Sequence, residues 1–253
     1  MSPKNLRVSS ITLARNEEVR IEKCLAALSF CDEQIVIDNG STDRTAQIAQ
    51  QRGAKVVPFS GLDFGKAHNL GLKEARGEWL LYVDADEIVT PQLSSEILEV
   101  IQKKGQEQKA AYFVKRKNYY LGHLWPYQDR HLRLFRSQAL KGWRGQLHET
   151  PITTGATGTL HHPLIHHTHR TLEEMVAKTN EWSEIEARYR FTAGHPVVAP
   201  WRLFRVMLTA FWDSFIKQGG WRVGVVGWIE SLYQSMSIFT TYAKLWEMQQ
   251  NQQ

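Results

Sequence analysis

Trp79-Leu80-Leu81-Tyr82-Val83-Asp84-Ala85-Asp86 joins five consecutive apolar residues to two carboxylates. The apolar run reads as a buried strand. Asp84 and Asp86 follow it, where a parallel sheet opens to its ligand crevice. A spacing of two sets both acids on the same side of an extended segment. Two hard oxygen donors on one side suit Mg²⁺ or Mn²⁺ carrying a phosphorylated substrate. The competing reading is a turn with helix-capping acids.

Upstream of this stretch, strand and helix patterns alternate. Val8–Ala14 reads as a strand, and Val19–Ser29 as a helix with Ile21, Leu25 and Leu28 at helical spacing. Gln34–Ile37 is a strand ending at Asp38, Asp43–Gln51 a helix, and Ala54–Val57 a short strand stopped by Pro58. Lys66–Ala75 is a helix before Gly77, and Thr90-Pro91 supplies N-cap and first turn for Gln92–Lys103. Such alternation predicts a mainly parallel sheet covered by helices. Beyond residue 110 the pattern changes: strands at Ala110–Lys117 and Arg130–Arg136 flank an aromatic loop, a histidine-rich strand follows, and everything after Thr171 reads as helix. The expected organisation is a nucleotide-binding and catalytic domain over 1–170 and amphipathic helices over 171–253.

The chain has 253 residues, 42% hydrophobic and 23% charged, which suits one globular domain with an appendage. A net charge of +5 favours acidic partners such as nucleotide phosphates or anionic lipid heads. Cys24 and Cys31 are too few for a four-thiolate zinc site and fit buried thiols in a reducing cytosol. Met1–Asn5 shows no signal-peptide pattern, and no apolar run reaches the length of a spanning helix. A cytoplasmic location is expected.

Three successive strands end in polar groups: Asn16 and Glu17, then Asp38, then Asp84 and Asp86. In an open α/β sheet such ends converge on one crevice. Ala14-Arg15-Asn16-Glu17-Glu18, Val36-Ile37-Asp38-Asn39-Gly40-Ser41-Thr42-Asp43, Gly65-Lys66-Ala67-His68-Asn69-Leu70-Gly71 and Asp84-Ala85-Asp86-Glu87 come in the order found in family 2 glycosyltransferases of the GT-A fold, which the chain resembles. Trp143-Arg144-Gly145-Gln146-Leu147-His148-Glu149 and Phe215-Ile216-Lys217-Gln218-Gly219-Gly220-Trp221 are similar to the lipopolysaccharide-core β-1,4-glucosyltransferases within it.

That resemblance implies inverting transfer from a UDP-sugar without a covalent intermediate. It implies that Asp38 contacts the uracil and Glu17 the uridine, with Asn16 beside them and Lys66 near the nucleotide. Asp84 and Asp86 would hold the cation and the donor's ribose and diphosphate. His68 stands where many members carry arginine. Negative charge grows on the departing diphosphate, which a divalent cation offsets, and the acceptor hydroxyl must lose its proton, which a carboxylate can take. Glu149 is the candidate base, with Asp129 behind it. The family often supplies a late histidine to the cation, and His166 matches that place best, with His169 competing. The histidine-rich tract His161–His169 could alternatively form an independent zinc site.

In the tail, Trp201, Phe204, Leu208, Phe211 and Phe215 form one stripe at helical spacing. It packs on its own domain or lies in a bilayer interface, with Arg188, Arg190, Arg202, Arg205 and Arg222 toward lipid phosphates. The expectation is a UDP-glucose-dependent transferase acting on a lipopolysaccharide inner-core heptose at the inner face of the plasma membrane. Its partners would be a glycolipid acceptor and an anionic membrane surface, and not nucleic acid. A transferase with another glycolipid or protein acceptor competes, as does a sugar-nucleotide pyrophosphorylase. The latter class carries a glycine-rich loop after its first strand, where this chain has Ala14–Glu18.

Overall fold

The computed structural model describes residues 7–103, 108–147, 149–168 and 170–251. The chain divides into two compact units. One comprises the chain up to Lys117 together with Asp129–His166, and the other Asn118–Gln128 with His167–Gln253.

The first unit is built on a mixed sheet. Its parallel part contains β1 (Val8–Ala14), β2 (Glu33–Asn39), β3 (Lys55–Phe59) and β4 (Trp79–Tyr82), in the order β3-β2-β1-β4. Helices α1 (Ile21–Ala27), α2 (Thr45–Gln51) and α3 (Phe64–Glu74) make the crossovers between them. β5 (Glu87–Val89) and α4 (Pro91–Gln102) follow β4. The sheet continues through β8 (Arg130–Arg136), β6 (Ala111–Tyr120), β12 (Leu164–Thr168) and β5. β8 runs antiparallel to both β4 and β6.

The apolar run of β4 is buried throughout, and its alternation sorts it into two cores. Trp79, Leu81 and Val83 join Leu28, Leu93 and Ile97 on one side. Leu80 and Tyr82 join Ile11, Ile37, Phe135 and Trp143 on the other. A strand covered on both faces is what a continuous apolar run predicts. The Thr90 hydroxyl accepts from the Leu93 N–H, so the expected N-cap of α4 is in place.

Several expectations shift. α1 is shorter than Val19–Ser29. β3 runs through Pro58, which sits opposite Asp38. Proline is tolerated there because β3 is the outer strand of the sheet, where a missing N–H breaks no inner ladder. The hairpin of β9 (Leu140–Arg144) and β10 (Thr150–Thr153), and the short β7 (His123–Leu124) and β11 (Thr157–Thr159), carry too little periodicity to be read in advance. Cys24 and Cys31 are both buried and free. Burial pushes the Cys31 thiol up to about 12, so it is inert.

In the second unit α5 (Leu172–Thr192) and α6 (Pro200–Trp212) pack against α7 (Val225–Gln250) around Ala187, Val198, Val206, Tyr242 and Leu245. A π-helical segment, Asp213–Lys217, and a 3₁₀ turn, Gly220–Val223, join α6 to α7. No helix among the described residues is long and apolar enough to cross a membrane. Three residues of the aromatic stripe are exposed rather than packed away, Trp201 at 59% and Phe204 and Leu208 at 69%, and Trp212 on the same helix is 57% exposed. Phe211 and Phe215 stack on each other at 5.1 Å and lie tilted against Trp228, at 5.7 and 4.4 Å between ring centroids. The wider π-helical turn rotates Phe215, which lies within it, out of α-helical register; Phe211 precedes it in α6. Arg190 also departs from the expected lipid-facing set, because its guanidinium is held by Glu186 and lies over the Tyr242 ring.

Candidate active site

The first two strand ends are tied together by short side chains. Asn16 adopts a positive φ of 55° directly after β1, a conformation asparagine tolerates better than most residues. Its N–H donates to the Ser41 Oγ at 3.0 Å, and its Oδ1 accepts from the Thr42 N–H at 2.8 Å. The Ser41 hydroxyl donates to Asp38 Oδ1 at 2.5 Å. The Glu17 N–H donates to Thr45 Oγ1, and its carboxylate pairs with Arg20. Asn16, Glu17 and Asp38 therefore share one edge, with Ala14 opposite Asp38 in the parallel register. Asp43 sits beneath them. Burial raises its pKa, but hydrogen bonds from Thr45 and the Glu18 N–H outweigh this and hold the carboxyl below its usual range.

The third strand end differs from expectation. Asp84 and Asp86 do not lie on one side of an extended segment. The Glu87 N–H donates to the Asp84 carbonyl at 2.9 Å, and the Asp84 N–H to Glu87 Oε2 at 3.0 Å, which closes a turn. The turn sends the two acids to different partners. Asp84 Oδ2 accepts from Arg133 at 2.5 Å. Arg133 also donates to the fully buried Glu87 at 2.6 Å, and Arg116 links Glu87 to Asp129. Burial alone would raise the Asp84 pKa, but the Arg133 guanidinium overrides it and holds the carboxyl well below the usual range. Asp86 instead faces His166, with Nε2 3.4 Å from Oδ2. The register of β12 with β5 explains this, because His166 pairs with Glu87, the neighbour of Asp86.

Among the described residues, no group of three or more His, Cys, Asp or Glu side chains is placed to hold a metal by itself. Asp86 and His166 are both largely buried and supply one carboxylate and one imidazole. That donor set fits a Mg²⁺ or Mn²⁺ ion whose remaining ligands are substrate phosphates and water. His161 and His162 are committed elsewhere, since the backbone N–H and Nδ1 of each donate to Glu96 at about 3 Å. His148 and His169 lie outside the described residues.

α3 holds the β9–β10 hairpin close by. Asn69 accepts from the Trp143 N–H and donates to its carbonyl, a two-bond clamp. A Cβ on Gly65 would come within 2.5 Å of the Gly145 carbonyl oxygen, so only glycine allows this approach. The Trp143 ring lies 4.4 Å from His68 and 4.9 Å from Tyr82. His68 is buried, and burial pushes its pKa down. Its Nδ1–H donates to the Phe64 carbonyl at 2.8 Å, which holds the ring against Tyr82 and Trp143. Glu149 sits half-buried, directly before β10. Lys66 lies in the first turn of α3, 3.4 Å from Asp63, with its ammonium largely in solvent. Asp129, the second candidate base, is clamped by Arg116 and by His131 Nε2 at 2.7 Å.

Arg133, Arg116 and Glu87 are the charges that sequence reasoning missed. A signal existed: Arg133 interrupts the apolar run Leu132 to Phe135, and a charge in such a run needs a buried partner.

The family model described as glycosyl transferase family 2 matches residues 9–165. The chain belongs to glycosyl transferase family 2. The transferase is 26% identical to the lipopolysaccharide core biosynthesis glycosyltransferase LpsC of Rhizobium meliloti (strain 1021), over 98% of this chain and 94% of that one. Among solved structures it is similar to S. aureus TarS 1-349 in complex with UDP-GlcNAc, at TM-score 0.49 and 17% identity over 98% of this chain and 93% of that one. A glucosyl-3-phosphoglycerate synthase from Mycobacterium tuberculosis, solved with Mn²⁺ and UDP, matches 46% of this chain and 44% of its own at TM-score 0.35 and 25% identity. Family membership answers the pyrophosphorylase alternative: the enzyme is a glycosyltransferase.

Proposed function

We propose that this transferase moves glucose from UDP-glucose onto a heptose of a lipopolysaccharide inner core, with inversion to a β bond. The observation that carries the reading is that β1, β2 and β4 run parallel and that Asn16, Asp38 and Asp84 lie at or just past their C-terminal ends, with the Asp86–His166 pair beyond the last of them. The likeness to LpsC along nearly the whole chain supports the acceptor class.

Asp38 receives hydrogen bonds from the uracil, with Glu17 and Asn16 flanking the nucleoside and Lys66 near the phosphates. Asp84, fixed by Arg133, faces the ribose and diphosphate. Asp86 and His166 would hold the divalent cation, which when bound offsets the charge on the departing diphosphate. The acceptor hydroxyl attacks the anomeric carbon from the face opposite UDP. As the new C–O bond forms, the bond from C1 to the phosphate oxygen breaks, and the hydroxyl proton passes to the Glu149 carboxylate. Such a base contributes about 10²–10⁴-fold. The exposed tryptophans of α6, with Arg202 and Arg205 5.4 and 5.7 Å from the Trp201 ring, are the proposed contact with an anionic lipid surface.

A donor screen tests this. UDP release from a panel of UDP-sugars, with Mn²⁺ and a heptose-containing lipid acceptor, should be highest for UDP-glucose. Asp86→Ala should abolish release. Glu149→Ala should lower transfer by about 10²-fold or more while leaving UDP affinity intact. Near-normal transfer by Glu149→Ala removes the assigned base.

A further inference from the structure

We propose that the second unit contains a binding pocket for a neutral sugar ring of the kind a glycan substrate carries; this rests on the transferase reading above. A cavity of about 280 Å³ lies among the aromatic loop, the end of α6 and the first half of α7. It is lined by Tyr120, Trp125, Asp213, Gln218, Glu230 and Gln234, among others. Its size is at the small end of ligand pockets, which span about 300–1,000 Å³, so it suits one ring rather than a chain of sugars.

The lining has the two kinds of surface that a sugar ring presents in reverse. Tyr120 and Trp125 meet edge to face, at 4.9 Å and 85°, and give an apolar wall for ring C–H groups. The rest of the lining carries carboxylates and amides that can exchange hydrogen bonds with hydroxyls. Gln234 Nε2 donates to Glu230 Oε1 at 2.7 Å, Gln218 Nε2 donates to Asp213 Oδ2 at 3.0 Å, and the Trp125 indole N–H donates to Gln218 Oε1 at 3.2 Å. These bonds fix the polar groups before a ligand arrives. Glu230 is 1% exposed, in the body of α7. An acid so deep is costly to bury, and packing alone would be served better by an apolar residue.

The backbone is built around the same place. The π-helical segment begins at Asp213 and brings both Asp213 and Ser214 to the cavity, and π-helical turns recur at functional sites. A Cβ on Gly227 would lie 1.8 Å from the Gly220 carbonyl oxygen, so the 3₁₀ turn and α7 touch backbone to backbone under Trp125. Charge decides the ligand class. The lining brings two carboxylates and no Lys, Arg or His, while Lys217 pairs with Asp213 from the solvent side at 3.2 Å. Phosphates and nucleotides are repelled, and uncharged polyols are accepted.

The test is saturation-transfer NMR on the full-length protein with methyl glycosides of heptose, mannose and glucose, without donor. At least one glycoside should bind saturably, and inorganic phosphate should not compete. Asp213→Asn and Gln234→Ala should each weaken that binding tenfold or more. UDP affinity, a property of the first unit, and the thermal midpoint serve as fold controls. Wild-type protein that binds none of the glycosides, or variants that bind as wild type does, would overturn the pocket. UDP release by wild type is measured separately: its absence removes the donor assignment, whereas loss of glycoside binding with UDP release intact removes only this site.

Discussion

Arg133 has the most consequential side chain that no motif announces. It sits one position beyond Leu134, which pairs with Leu81, so β8 carries it to the open end of β4. There it bridges Asp84 and Glu87. Removing one member of a buried ion cluster leaves an uncompensated charge and costs about 3–5 kcal/mol. Arg133→Met should therefore destabilise the first unit by that amount in urea denaturation, and its residual folded fraction should bind UDP poorly because Asp84 loses its anchor. A variant as stable as wild type would mean that the cluster is not held in this form. His68 teaches the opposite lesson. It stands where many members of the family carry arginine, and the fold uses it as an aromatic packing residue between Tyr82 and Trp143.

At the scale of elements, the most useful contact joins α4 to the segment before β12. Glu96 accepts from the backbone N–H groups and Nδ1 atoms of His161 and His162. Burial would raise its pKa, but those hydrogen bonds dominate and bring it down to about 2. A carboxylate whose folded pKa is depressed contributes stability above its unfolded value of about 4.3 and loses it as pH falls through the folded value. Glu96→Gln should cost about 1–2 kcal/mol at pH 7, and the difference from wild type should shrink between roughly pH 4 and pH 2. Denaturant melts at both ends of that window check the sign. Because β12 also carries His166, the same variant should weaken Mn²⁺-dependent UDP binding more than metal-free binding.

Over the whole molecule, the second unit presents an apolar surface that its own core leaves uncovered. Trp201, Phe204, Leu208 and Trp212 share one face of α6, and Val225, Trp228 and Leu232 share one face of α7. Arg222 lies 4.9 Å from the Trp221 ring between the two helices. Large exposed aromatics beside arginines suit an anionic lipid interface. Replacing Trp201, Phe204 and Trp212 together by serine should reduce co-sedimentation with phosphatidylglycerol vesicles by tenfold or more. Wild-type binding should also weaken with salt, since charge attraction is screened. Binding that is indifferent to both changes would remove the membrane assignment.

Periodicity and strand-end chemistry determined a great deal from sequence alone. The buried run of β4, the alternation of β1 through α4 and the acids at Asp38, Asp84 and Asp86 were legible because each depends on local spacing. Tertiary structure decided what depends on register between distant strands: Arg133 against Asp84, His166 against Asp86, Asn69 against Trp143. It also decided that Asp84 and Asp86 diverge, because a single backbone hydrogen bond from Glu87 converts an extended segment into a turn. The fate of the α6 stripe belongs to the same class. Helical spacing identifies an apolar face, but only the packing of neighbouring helices determines whether that face is covered.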